Sequence, residues 1–169
     1  MQWLAQDGQG ARARQAYQAF VRRLAADLGL APGADLKSLH DALGAIADCR
    51  HPTVALIEGI CVGGGLEIAA LCDLRICGEG SRFGVPINKL GLVMAHAEMA
   101  ALVQLAGRAG ALELLLEGRI LGAREALDRR LVHRVVADDA VAAEAYATAA
   151  RIAAGAPLVA RWHNQFLRE

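Results

Sequence analysis

The chain has 169 residues, with 18 Lys plus Arg, 18 Asp plus Glu and a formal net charge of zero. Hydrophobic residues make up 55% and charged residues 21%, which excludes a disordered chain and supplies enough apolar surface for one compact core. The balanced charge lacks the basic excess of a nucleic-acid binder, and aromatics at 4% leave few base-stacking surfaces.

The first predicted element is a helix over residues 9–28, where Tyr17, Phe20, Val21 and Leu24 recur at three- and four-residue steps. Gly29 and the Pro32-Gly33 pair end it. A second helix is predicted over 35–48 through Leu36, Leu39, Leu43 and Ile46, and His51-Pro52 closes it, because a residue before proline is pushed away from helical angles. Thr53 to Ile57 has the length and β-branched content of a buried strand. Gly63-Gly64-Gly65 then makes a turn into a short helix, Leu66 to Leu71, and Asp73 to Cys77 reads as another strand. Arg82 to Leu92 is less regular. Helices are predicted at 96–106 and 109–117, separated by Gly107, and again from Ala123 to Leu131. A strand follows at 132–136, then a helix from Asp138 to about Ala154 whose start Asp138 would cap, then a last helix opened by Pro157. Strand, glycine turn, helix and strand make an α/β unit. We read residues 1–169 as one domain, with 1–35 as a helical arm.

Cys49, Cys61, Cys72 and Cys77 make no CxxC pair and no zinc-ligand spacing, so they read as reduced thiols. His40, His51, His133 and His163 are scattered and show no metal-ligand spacing either, and no metal is expected. The N-terminus lacks the pattern of a signal peptide, and no apolar stretch approaches the roughly 20 residues that span a bilayer. The expectation is a cytoplasmic protein with no membrane and no nucleic-acid partner.

Chemistry concentrates between His51 and Asp73. Three consecutive glycines leave a strand and enter a helix, where they allow positive φ and close approach of another molecule to the backbone. The helix start presents unpaired N–H groups and the positive end of its dipole, a place for an anion or a developing oxyanion. Glu67 lies in the first turn beyond, where it can serve as acid or base or stand as an ordinary first-turn residue. No GxxxxGK[ST] and no GxGxxG follows the strand, so these motifs give no support to nucleotide binding.

The run from Pro52 to Asp73 resembles the crotonase (enoyl-CoA hydratase/isomerase) family: a proline-started strand, a glycine, GGG, a glutamate and Cys72-Asp73. The similarity continues through Arg75-Ile76, Phe83-Gly84-Val85-Pro86, Leu90-Gly91-Leu92, Leu114 to Gly118, Ala123 to Ala126, Leu131-Val132, Val135-Val136 and Ala156-Pro157-Leu158. It covers about residues 36–167. It implies the ββα spiral core of that family, truncated at both ends, with a helical C-terminal part. It also implies an acyl-CoA thioester as substrate, with coenzyme A as part of that substrate and no separate cofactor. By resemblance the backbone N–H of Gly64 is an oxyanion donor, Glu67 is the catalytic acid/base, and Gly63, Gly65, Ile87 and Leu92 belong to the substrate-binding region. The family's second oxyanion donor lies in an earlier segment, and Ala31 to Lys37 resembles it only superficially.

Hydratases of the family use a second glutamate after the proline at position 86, where this chain has Ile87, which transfers no proton. Glu98 and His96 lie further along, either as substitute proton carriers or as surface and helix-cap residues. Asp73 reads as a backbone anchor and Glu113 as a packing or interface charge. The resemblance implies enoyl-CoA hydration, with two alternatives: double-bond isomerisation, or a catalytically impaired relative acting as an oligomer partner. Family members form trimers or hexamers, so a homo-oligomer is expected.

Overall fold

The structure is a computed structural model that describes residues 35–91, 93–94 and 96–167. The helix expected at 9–28, the sequence around Ala31 and Leu92 lie outside the described residues.

Helix α1 (Asp35–Ala47) leads into strand β1 (Val54–Ile57), strand β2 (Ile60–Val62) and helix α2 (Gly64–Leu71). Strands β3 (Leu74–Gly78) and β4 (Arg82–Gly84) follow, then a 3-10 turn at Pro86–Leu90 and the long helix α3 (His96–Glu117). The rest comprises β5 (Ile120–Gly122), α4 (Ala123–Asp128), β6 (Arg134–Val136), a 3-10 turn at Asp138–Ala140, α5 (Val141–Ala153) and α6 (Pro157–Phe166).

The strands form two small sheets. In the first, β1, β3 and β6 run parallel in that order, with Val54 opposite Leu74 and Ile57 opposite Cys77. In the second, β2 pairs parallel with β4, and β4 pairs antiparallel with β5. This second sheet is what the sequence pattern did not show, because its strands have three residues each and carry no usable alternation. Its centre is nonetheless apolar: Phe83 and Leu121 face each other in register and are both fully buried. Burial of such a side chain contributes about 1.5–3 kcal/mol. Ile57, Leu66, Cys77, Leu102, Leu114 and Leu131 join the same core, which sits between the two sheets and the helices.

Two local readings are refined. Helix α3 is broken at Gly107, whose φ of 69° and ψ of 165° are not helical, so the two predicted helices either side of that glycine are present as separate rods. Asp138 does not cap a helix. It lies in a 3-10 turn, its Oδ1 accepts the Gly80 N–H at 2.8 Å, and α5 begins three residues later without a side-chain cap. The side chain therefore ties the start of α5 to the β3–β4 turn, which spacing along the chain could not reveal. Pro157 stands in the first turn of α6 as expected.

The expectation about membrane-length segments is also corrected. Glu98–Glu117 is long and apolar enough to cross a membrane by length and composition. Here that stretch is kinked at Gly107, and its Leu102, Ala111 and Leu114 are packed into the protein core.

Candidate active site

Three helix faces converge on one cleft. Leu43, Gly44 and Ala47 come from α1, Glu67 and Leu71 from α2, and Glu98 and Ala101 from α3. The spacings explain the convergence: residues three or four apart in a helix share a face, so 43/47, 67/71 and 98/101 each present one stripe. The opposite stripe of α2 carries Leu66 and Ala69, which are buried in the core and hold the helix in place. The cleft has a volume of about 170 Å³ and a mostly apolar lining, in which Glu67 and Glu98 are the titratable groups.

Helix α2 starts at the glycine turn. Gly63 has φ 54° and ψ −125°, a conformation that side chains with a Cβ rarely adopt, and its N–H donates to the Gly84 carbonyl at 2.9 Å. The Glu67 N–H donates to the Gly63 carbonyl at 3.0 Å and closes the first helical turn. Helix geometry gives the N–H groups of Gly64 and Gly65 no intrahelical acceptor. A Cβ added to Gly63, Gly64 or Gly65 would meet nothing within 4 Å, so there is open space beside the turn. These glycines are not part of the cleft lining. They lie up to one helical turn before Glu67 on the same helix, about 4.5 Å along the axis for Gly64.

The Glu67 carboxyl is pushed up from its ordinary 4.5 to about 7, first by burial and then by the negative charge of Glu98. A carboxyl that is half protonated near neutral pH can both give and take a proton. Ile87, in the 3-10 turn, is partly buried and packs against the core, outside the cleft lining.

The surrounding polar groups are structural. The Asp73 Oδ2 accepts hydrogen bonds from the Thr53 N–H at 2.6 Å and the Thr53 hydroxyl at 2.8 Å, and from Asn164 of α6 at 3.2 Å. Asp73 therefore anchors the β1 entry, as the sequence suggested. Arg75 is buried, donates to the carbonyls of Ala69 and Cys72, and so fastens the end of α2 to β3. Glu113 pairs with Arg119 and Arg129 at the surface. None of the four cysteines forms a disulfide among the described residues, and burial pushes the Cys61 and Cys77 thiols up to about 11, which keeps them protonated and unreactive. Among the described residues no group of His, Cys, Asp and Glu gathers to hold a metal ion.

Sequence reasoning found Glu67 and the glycine turn. It named Glu98 in a stretch that lines the pocket in relatives, and it missed Leu43, Gly44, Ala47, Leu71 and Ala101 as lining residues. The 43/47 and 67/71 spacings were the available signal, but a helix stripe does not say which other helix it faces.

The profile described as enoyl-CoA hydratase/isomerase matches residues 31–169. The chain belongs to this family. Among curated relatives, a probable enoyl-CoA hydratase of Rhizobium meliloti (strain 1021) is 37% identical over 136 residues, which is 73% of this chain and 53% of that protein. A peroxisomal Delta(3,5)-Delta(2,4)-dienoyl-CoA isomerase of Arabidopsis thaliana is 37% identical over 100 residues, 59% of this chain and 36% of that protein. Among solved structures, an enoyl-CoA hydratase/carnithine racemase from Magnetospirillum magneticum matches at 55% identity and a TM-score of 0.74, over 76% of this chain and 48% of that one. The crotonase fold is thus shared, and this chain spans about half the length of the curated relatives it matches. A second profile, the bacterial transcriptional activator domain, matches residues 1–43, so the arm preceding the family core is similar to a different module.

Proposed function

We propose that this chain acts on acyl-CoA thioesters as an enoyl-CoA hydratase, with Glu67 as acid/base and the backbone N–H of Gly64 as a donor to the thioester oxygen. The observation that carries the reading is the Glu67 carboxyl. It sits half-buried in an apolar cleft, poised near neutral pH, one turn from a glycine turn with open space beside it. An oxyanion forming at that turn would meet free N–H groups and the positive end of the helix dipole, and one such donor contributes about 3–4 kcal/mol to transition-state stabilisation. Gly63 and Gly65 shape the same turn, while Ile87 packs against the core outside the cleft lining. Coenzyme A belongs to the substrate, and no separate cofactor is required. The reduced thiols suit a reducing cytoplasm. Self-association into a trimer or hexamer is part of the same reading.

Double-bond isomerisation is the second reading, favoured by Ile87 standing where a second glutamate is expected and by the dienoyl-CoA isomerase among the relatives. An impaired family member that serves as an oligomer partner is the third, favoured by the same Ile87, which transfers no proton.

The test is a titration of purified protein with a short 2-enoyl-CoA, following loss of the conjugated double bond, alongside a 3-enoyl-CoA, following its gain. Turnover should fall about 10²- to 10⁴-fold in Glu67→Gln. Loss of conjugation identifies hydration, and its gain identifies isomerisation. Binding of either thioester without turnover selects the impaired member. Turnover that survives Glu67→Gln removes Glu67 from the mechanism.

A further inference from the structure

We propose that Glu98 is the second acid/base carboxylate of this site, paired with Glu67 across the cleft. The inference rests on the acyl-CoA reading above and deepens it. The position where a second glutamate is expected holds Ile87, whose alkyl side chain packs against the core and carries no proton. Glu98 stands elsewhere in the sequence, in the first turn of α3, but α3 packs directly against α2 and its 98/101 stripe faces the 67/71 stripe. Glu98 and Glu67 therefore line the same small cleft from two adjacent helices.

An apolar cleft disfavours two negative charges close together, because neither is well solvated and they repel. Burial first and the negative charge of Glu98 second favour the protonated form of Glu67. A protonated carboxyl facing a second carboxylate is what hydration requires. With the proton on Glu67, the Glu98 carboxylate takes a proton from water as the water oxygen bonds to the β-carbon of the enoyl thioester. The π pair of the double bond moves toward the thioester carbonyl as an enolate. The α-carbon then takes the proton from Glu67. One water is consumed, one O–H and one C=C π bond break, one C–O and one C–H bond form, and the pair ends with one proton, now on Glu98. A proton exchange with solvent or between the carboxyls resets it.

The test combines two readouts on the full chain. Carboxyl carbons of ¹³C-labelled glutamate are titrated by NMR in wild type and in Glu98→Gln, with the Glu67 signal assigned from Glu67→Gln. The Glu67 midpoint should drop when Glu98 is neutralised, while staying above the ordinary carboxylate range because burial, the larger cause, remains. An unmoved midpoint overturns the pairing whether or not the protein turns over. Kinetics supply the second readout. Wild type should show a bell-shaped pH profile of kcat/KM, and Glu98→Gln should lose one limb and about 10²- to 10⁴-fold in kcat. Glu98→Asp should restore part of both, and the double variant should be no worse than either single one, as expected for residues acting as a unit. Full activity with both limbs in Glu98→Gln, beside an inactive Glu67→Gln, overturns the role of Glu98 and leaves the acyl-CoA reading standing. Failure of that reading shows differently, as thioester turnover indifferent to Glu67→Gln.

Discussion

At the residue scale, the informative group is Glu67. Its folded-state value near 7 lies above the ordinary 4.5, so the folded protein holds this proton more tightly than the unfolded chain does. The sign follows directly: the stability this group supports is fully present below about 4.5 and is lost as pH rises through about 7. Glu67→Gln removes the titration while keeping the shape. The variant should therefore gain stability over wild type at pH 8, by about 1 kcal/mol once solvent screening of a half-buried group is allowed for, and show little difference at pH 4.5. Urea midpoints of both proteins at the two pH values check this, and a wild type more stable than the variant at pH 8 would contradict the buried-carboxyl account. The sequence exposed Glu67 because its offset from the GGG turn is local. It left Glu98 ambiguous because a separation of thirty-one positions (98 minus 67) says nothing about which helices touch.

At the element scale, α2 and its N-cap carry both the glycine turn and Glu67, and Gly63 and Gly64 have different duties. Gly63 has a backbone conformation that only glycine adopts readily, whereas Gly64 opens the helix and faces open space. Gly63→Ala should cost about 1–3 kcal/mol through backbone strain alone. Gly64→Ala should leave stability within about 0.5 kcal/mol, or raise it, because alanine favours the helix, yet its methyl group enters the space a thioester needs. Thermal unfolding and acyl-CoA titration of the two variants separate these effects. Equal destabilisation by both would show that the turn serves the fold and not the ligand. Helix α3 teaches the same lesson in reverse. Gly107 marked its break in the sequence because a glycine between two apolar stripes is a local signal, and the break is where expected.

At the scale of the whole molecule, the described residues form two three-stranded sheets whose outer strands, β1 and β6 in one and β2 and β5 in the other, have no further strand partner among those residues. Ile60 of β2 is 78% exposed and Leu56 of β1 39% exposed, so apolar side chains accompany these edges. Edges of this kind template association. Sedimentation velocity should show a mass that rises with protein concentration, and Ile60→Lys should shift the distribution toward the single chain. A concentration-independent monomer in wild type would mean that these edges are covered within the chain itself.

What the sequence determined by itself was everything encoded at short range. That includes the strand, glycine turn and helix around Glu67, the breaks at His51-Pro52 and Gly107, the opening of the last helix by Pro157, and the family resemblance carried by motif order. These depend on backbone sterics and helix periodicity, which act over a few residues. Only the tertiary structure decided the pairing of β2, β4 and β5, the use of Asp138 as a tie rather than a cap, the packing of Ile87 against the core, and the meeting of Glu67 with Glu98. Each of those follows from packing between elements far apart in the chain, where burial of apolar faces selects the neighbours and the polar groups then take the partners that packing leaves within reach.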